Sequence, residues 1–184
     1  HLKSKDYKRI KDDFIVTDGE HGSVDFQDVG IRFLTAENIK NGYVDISKIR
    51  YVDEEIDKRN ARARVTIGDV LISIKGTLGQ VAVVEDWLIP SNMNRDVAIL
   101  KPIMQNISTE YAAVFLMSKY GAIQAERGGS GGVQQMITLE RLRNFIIPKF
   151  SERFYYLISK INCESRNLRN FSNKVYIQAE SLLL

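Results

Sequence analysis

Lys75, Thr77 and Gln80 stand around a glycine-bracketed turn, GTLG (residues 76–79), inside the run GDVLISIKGTLGQVAVV (residues 68–84). The three side chains offer an ammonium, a hydroxyl and a carboxamide, which are hydrogen-bond donors with little else to do at a turn. Gly76 and Gly79 let the backbone bend sharply or approach a large ligand closely. On the residues alone a hairpin with a polar tip is the competing reading, and both stay open. The elements that hold this tip are strands. Val70, Ile72 and Ile74 alternate with Leu71, Ser73 and Lys75, which predicts a strand with one buried face, and residues 81–84 predict its β-branched return.

Several chemistries are excluded by residue type. Two histidines, His1 and His21, and one cysteine, Cys163, cannot build a closed zinc site, so no metal is expected. There is no GxxxxGK[ST], so the GTLG turn is not a Walker-type phosphate loop. The three prolines, Pro90, Pro102 and Pro148, are never adjacent, which removes the Pro-Pro-aromatic loop with which amino-methyltransferases hold a flipped base. A glycine-rich strand-to-helix turn for a nucleotide cofactor is missing, and no Ser/His/Asp set is suggested locally.

Composition sets the outer limits. At 184 residues with 44% hydrophobic content, the chain can bury a core as one domain with an appendage or as two small units. A net charge of +3 permits a nucleic-acid partner if the cations cluster, without requiring one. A lone cysteine points to a reducing compartment and hence the cytoplasm. No apolar run approaches the ~18 residues of a membrane span. The chain starts at His1 without Met and stops inside an apolar run, so it is expected to be a fragment truncated at its C-terminal end.

Residues 1–13, mixing Lys and Asp, read as a solvated lead-in or a helical turn, and DGEHGS (residues 18–23) as a turn cluster. IRFL (residues 31–34) predicts a strand, Asn41-Gly42 a turn into a short strand over residues 43–46, and DEEIDKRNARAR a charged helix with acids first and bases last. Residues 97–100 predict a buried strand. Ser108 is expected to cap a helix carrying Ala112, Phe115, Leu116 and Tyr120 on one face and ending at Gly121, with a second short helix running to Arg127. GGSGGVQQM (residues 128–136) reads as too glycine-rich to be regular, after which Thr138 caps a brief helix, and FIIP (residues 145–148) closes the domain as a strand. Beyond Ser151, Phe154, Ile161, Leu168, Val175 and Leu182 recur every seven residues without Gly or Pro. That stripe predicts one long helix seeking a partner helix, although packing on its own domain is the alternative.

Taken in order, the DGEHGS turn, RFLTAENIKNG, GDVLISIKGTLGQVAVV, NRDVAILKP, a capped helix, a glycine-rich loop followed by Gln, FIIPKFS and the heptad helix resemble a target-recognition domain of the specificity (S) subunit of type I restriction–modification systems. The tail YIQAESLLL also resembles that of single-chain relatives in which an N6-adenine methyltransferase is fused to one recognition domain. The resemblance implies an α+β recognition domain over residues 1–150 and a coiled-coil-type spacer and docking helix over residues 151–184. It further implies a non-catalytic reader of one half-site in double-stranded DNA. S-adenosylmethionine, magnesium and ATP would belong to partner subunits. The implied partners are DNA and a methyltransferase subunit or fused domain, with a homodimer through the helix as a further possibility.

In such a reader, cations and N–H donors fix the DNA backbone while forked side chains read base edges. The expected backbone contacts are Lys75, Gly76, Thr77, Arg32, Arg62, Arg64 and Arg95. The expected base readers are Gln80, Asn92, Asn94, Gln134 and Gln135, with His21 in its turn. Solvated charge, loop polarity and turn capping are the ordinary alternatives for these residues. Trp87 and Tyr43 could stack on bases, but packing is the simpler role. For the whole chain two readings compete with DNA recognition: an interaction module on a helical oligomerisation stalk, and the tail of a catalytic chain whose chemistry lies elsewhere.

Overall fold

A strand with every side chain buried needs a core on each of its sides, and residues 70–73 form such a strand. The computed structural model describes residues 7–103, 107–130 and 135–182. It begins with β1 (Tyr7–Arg9), a single turn of helix α1 (Ile10–Asp13) and β2 (Phe14–Asp18). Over residues 7–13 this corrects the solvated lead-in, while the alternative of a helical turn is what forms at Ile10–Asp13. Ile10 and Asp13 are each 1% exposed, and the Asp13 carboxylate accepts from Lys8 Nζ at 2.6 Å. The charges that look solvated in the sequence pair with each other and let the segment enter the core.

β3 (Ile31–Leu34), β4 (Ile39–Lys40), β5 (Tyr43–Val44) and β6 (Arg50–Val52) follow, with Gly42 taking a left-handed φ of +89° at the β4–β5 turn. Helix α2 (Glu54–Arg59) starts at Asp53, whose carboxylate accepts from the Ile56 N–H at 2.8 Å. The hairpin β7 (Val70–Ser73) and β8 (Val81–Val83) pairs Val70 with Val83 and Ile72 with Val81. β9 (Ser91–Met93) and β10 (Val97–Pro102) come next.

Ser108 caps α3 (Thr109–Met117) as expected, but that helix stops at Ser118, whose backbone is extended. Tyr120 and Gly121 therefore lie in the next helix, α4 (Lys119–Gly128), rather than closing α3. Gly121 is required there because a Cβ would sit 2.0 Å from the Leu116 carbonyl oxygen. β11 (Gly129–Ser130) pairs with β12 (Met136–Ile137), and Thr138 caps α5 (Leu139–Arg143). β13 (Ile146–Pro148) returns to pair with β1, and α6 (Glu152–Ser181) is a 30-residue helix capped by Ser151.

The central sheet runs β2–β10–β7–β8 and is antiparallel throughout. Val70, Ile72 and Ile74 pack on one side with Tyr111, Leu116, Leu142 and Ile147, while Leu71 packs on the other with Ala82, Ile99, Leu34 and Met93. The expectation of one buried face is thus corrected to two. The hydroxyl of Ser73, the polar member of the strand, is satisfied locally: it donates to the Thr77 carbonyl and accepts from the Gln80 N–H. Fully burying each aliphatic side chain contributes about 1.5–3 kcal/mol, so this doubly buried hairpin anchors everything at its tip. A second sheet, β6–β3–β9, with β3 and β9 parallel, covers the far core. The result is the expected α+β domain followed by a long helix. Among the described residues no helix is long and apolar enough to cross a membrane.

Candidate nucleic-acid interface

Four chain segments distant in sequence meet beside the tip of the central hairpin. They are the turn after β2, the end of β7, the β9–β10 turn and the residues flanking β12. Backbone hydrogen bonds knit them together. The Glu20 N–H donates to the Met93 carbonyl at 2.8 Å, and the Arg95 N–H donates to the Glu20 carbonyl at 3.0 Å. The Ile74 N–H donates to the Asp96 carbonyl at 2.9 Å, and the Ile137 N–H to the Ile74 carbonyl at 2.8 Å. Gly19 makes the approach possible, because a Cβ there would lie 2.0 Å from the Met93 carbonyl oxygen.

The segments enclose a cleft of about 320 Å³ lined by Asp18, His21, Lys75, Arg95, Asp96 and Met136, among others. Its charges alternate. Asp18 accepts from Arg62 Nη1 at 2.9 Å, and its other carboxylate oxygen lies 2.8 Å from His21 Nε2. Arg62 also donates to the Gly19 carbonyl at 3.2 Å. Lys75 Nζ lies 3.7 Å from Asp96 Oδ1. Asn94 holds the β9–β10 turn by donating to Asp96 Oδ2 at 2.9 Å and accepting from the Asp96 N–H at 3.1 Å. Beside the cleft, the Gly22 N–H, at 2.8 Å, and then the Arg59 guanidinium hold the Glu20 carboxyl below its ordinary value. Arg95 is exposed, and its side chain has no partner among the described residues.

A second cavity, of about 370 Å³, opens on the other side of the tip between Gly76, Thr77, Gln80 and Lys40. Gly76 sits there at φ +76°, with nothing within 4 Å of where a Cβ would be. Gln80 Oε1 accepts from the Asn41 N–H at 3.2 Å, which ties the tip to the β4–β5 turn.

The structure therefore gathers His21, Lys75 and Arg95 at one cleft, with Arg62 attached through Asp18 and exposed Gln135 next to Met136, the bridge partner of Lys75. Gly76, Thr77 and Gln80 flank it. Asn92 is a correction. It is completely buried, donates to Asp57 Oδ1 at 2.9 Å and to the Asn60 carbonyl at 3.2 Å, and accepts from Asn60 Nδ2 at 3.1 Å, so no base edge can reach it. Asn94 is a turn brace, and Arg64 is paired with Asp57 at 2.8 Å, away from the cleft. Arg32 lies on β3, outside the cleft lining. Gln134 lies outside the described residues. Sequence reasoning does not name Asp18 and Thr138 as parts of the cleft; the Asp-Gly pair at 18–19 is the available signal, since a glycine after an acid marks a close backbone approach as well as a turn. Among the described residues no group of three or more His, Cys, Asp or Glu could hold a metal.

The long helix divides its faces. Tyr155 and Ile158 pack against the core, Asn162 and Arg166 both donate to Glu110, the latter at 2.6 Å, and Arg169 donates to the Gly42 carbonyl at 2.7 Å. Arg169 also lies over the Tyr43 ring, 4.8 Å from its centroid, so Tyr43 is committed to packing. The heptad stripe begins on the domain, where the Phe154 ring lies 5.9 Å from that of Tyr111 and 4.5 Å from that of Phe150, and is more exposed beyond it. Phe154, Ile161, Leu168, Val175 and Leu182 are all exposed, as are Leu157 and Phe171.

Comparison with known proteins gives the family and the fold. Residues 8–149 match the model of the type I restriction modification DNA specificity domain. The type I restriction enzyme EcoBI specificity subunit of Escherichia coli is 27% identical over 119 residues, covering 65% of this chain and 25% of that protein. The S subunit of a type I system from M. genitalium superposes with a TM-score of 0.63 at 11% identity, over 96% of this chain and 44% of that one. The HsdS subunit from Thermoanaerobacter tengcongensis gives 0.61 at 15% identity, over 88% and 37%. These two structures share the fold with this chain, which spans a quarter to under half of the length of all three relatives. On the match over residues 8–149, the chain belongs to the type I restriction modification DNA specificity domain family.

Proposed function

We propose that this chain reads part of a double-stranded DNA target for a type I restriction–modification complex in the cytoplasm, with residues 1–150 as the reader and residues 151–184 as spacer and docking helix. The observation that carries the reading is the convergence of His21, Lys75 and Arg95 on one cleft beside the hairpin tip, in a member of a DNA specificity family. Donors and acceptors alternate there, which suits the mixed edges of base pairs, and cations on the rim suit phosphates. The chain contributes recognition only. Methyl transfer and cleavage, with S-adenosylmethionine, magnesium and ATP, fall to partner subunits or fused domains.

Fluorescence anisotropy of the chain with a duplex pool, at salt from 50 to 200 mM, tests the reading. Binding should weaken with salt at a log–log slope of about 0.9 per phosphate contacted. Absence of binding, or binding indifferent to salt, refutes it. The exposed stripe of α6 supports a second function carried by the same chain, docking of the N6-adenine methyltransferase or of a second copy of the helix. An oligomerisation module without any DNA role would keep that docking and fail the anisotropy test.

A further inference from the structure

The cations around the cleft are not equivalent. Arg62 is held by Asp18 at 2.9 Å, Arg59 by Glu20 at 3.3 Å, and Lys75 lies 3.7 Å from Asp96. Arg95 lines the same cleft, is exposed, and alone of these four has no carboxylate partner among the described residues. Its backbone, in contrast, is fixed from both sides. The Arg95 N–H donates to the Glu20 carbonyl at 3.0 Å, the Asn94 N–H to the Leu34 carbonyl at 3.0 Å, and the Val97 N–H to the Asn94 carbonyl at 3.3 Å. A guanidinium with free donors thus stands on a rooted turn between two strands. That is what direct readout needs, because each degree of freedom fixed in advance is one that binding need not fix.

The neighbours decide what this guanidinium meets. Asp18 and Asp96 both line the cleft, and one carboxylate oxygen of Asp96 is buried without a hydrogen-bond partner among the described residues. Each is paired with a cation, Asp18 with Arg62 and Asp96 with Lys75, so a phosphate entering the cleft meets two carboxylates and, apart from Arg95, no uncompensated cation. The carboxylates do not repel a base edge, which carries donors as well as acceptors. Guanine presents two adjacent acceptors, N7 and O6, that match the parallel N–H groups of a guanidinium; an ammonium can donate to the same atoms, but only as a flexible point charge without the planar fork.

We infer that Arg95 is a specificity-determining residue that reads a guanine in the major groove, while Asp18 and Asp96 keep phosphates out of its cleft and occupy the neighbouring cations. The inference rests on the DNA-reading function proposed above and moves Arg95 from backbone positioning, where sequence placed it, to base readout.

The test uses the whole chain as wild type, Arg95→Lys and Arg95→Ala, with circular dichroism to confirm the fold. Sequences enriched by wild type from a duplex pool with a randomised core are identified. Each G·C pair of the selected duplex is then exchanged singly for A·T and titrated by anisotropy. Wild type should discriminate against exchange at one G·C pair by roughly 5- to 150-fold. Both variants should lose discrimination at that pair and keep it elsewhere, and Arg95→Lys should keep the wild-type salt slope. If Arg95→Ala retains the discrimination at every G·C pair, or weakens all duplexes equally and lowers the slope by about one counterion, Arg95 reads no base and the inference fails while DNA reading stands. If wild type enriches no sequence and binds without salt dependence, the DNA-reading function itself fails, and this inference with it.

Discussion

Replacing Asn92 by alanine should cost stability and leave the DNA preference of the folded protein intact. The side chain is completely buried and makes four hydrogen bonds: to Asp57 Oδ1 at 2.9 Å, to the Asn60 carbonyl at 3.2 Å, from Asn60 Nδ2 at 3.1 Å and from the Met93 N–H at 2.8 Å. At about 1 kcal/mol net for each bond the loss approaches ~4 kcal/mol, and a water entering the vacated space would return part of it, leaving about 2–4 kcal/mol. For a urea dependence of about 2 kcal/mol per molar, the unfolding midpoint falls by roughly 1–2 M. In a domain of this size the melting temperature falls by roughly 5–15 °C. Urea titration followed by tryptophan fluorescence reads the first number, since the chain has a single Trp, Trp87. Anisotropy at low temperature, where the variant stays folded, should find the sequence preference within about twofold of wild type. A midpoint unchanged within ~0.3 M, or a selective loss of binding to the preferred duplex, refutes the assignment of Asn92 as an internal brace.

The remaining predictions concern the helix and the acid limb. Ile161→Glu with Leu168→Glu places charge at positions 62% and 70% exposed, so stability should change by less than about 1 kcal/mol while self-association or methyltransferase docking is lost. Light scattering and pull-down with the methyltransferase subunit check this, and unchanged behaviour in both removes the seam as a docking surface. Glu20 has a folded-state pKa below its ordinary 4.5, so its contribution to stability is fully present above that value and lost as pH falls through the lowered pKa. Glu20→Gln should therefore flatten the stability profile below about pH 4.5, measured by urea midpoints at pH 3 to 6. An acid limb of unchanged steepness counts against that role.

What the sequence revealed follows from where its information is local. The β7–β8 hairpin was legible because β-branched strands flank a glycine turn, and Ser108 and Thr138 were legible because a cap is a one-residue signal. The long helix announced itself through a seven-residue stripe. β2 escaped because the buried ion pair of Lys8 and Asp13 makes its approach look solvated. β9 escaped because it is Ser91, Asn92 and Met93, and the partners that let polar residues sit in a core, Asn60 and Asp57, lie more than thirty positions away. The same distance explains the candidate site. Residue types named His21, Lys75 and Arg95, but only the hydrogen bonds through Glu20, Asp96 and Ile74 bring them together, and no local pattern encodes that meeting.

The way α6 is attached bears on how recognition reaches a partner. An apolar face would normally be spent on the domain it leaves, yet between Asn162 and Asn170 this helix docks by polar contacts. Arg166 bridges Glu110 at 2.6 Å and Glu85 at 3.9 Å, Asn170 donates to Glu85 at 3.3 Å, and Arg169 caps the Gly42 carbonyl. Polar contacts are directional, so they fix the rotation of the helix about its axis, which greasy packing leaves looser. Fixing that rotation decides where Ile161, Leu168 and Val175 point. Gly42 lies on the β4–β5 turn, and the neighbouring Asn41 is hydrogen-bonded to Gln80 and Val81 at the tip of the central hairpin. The β4–β5 turn therefore touches both the tip of the central hairpin and the polar seat of α6.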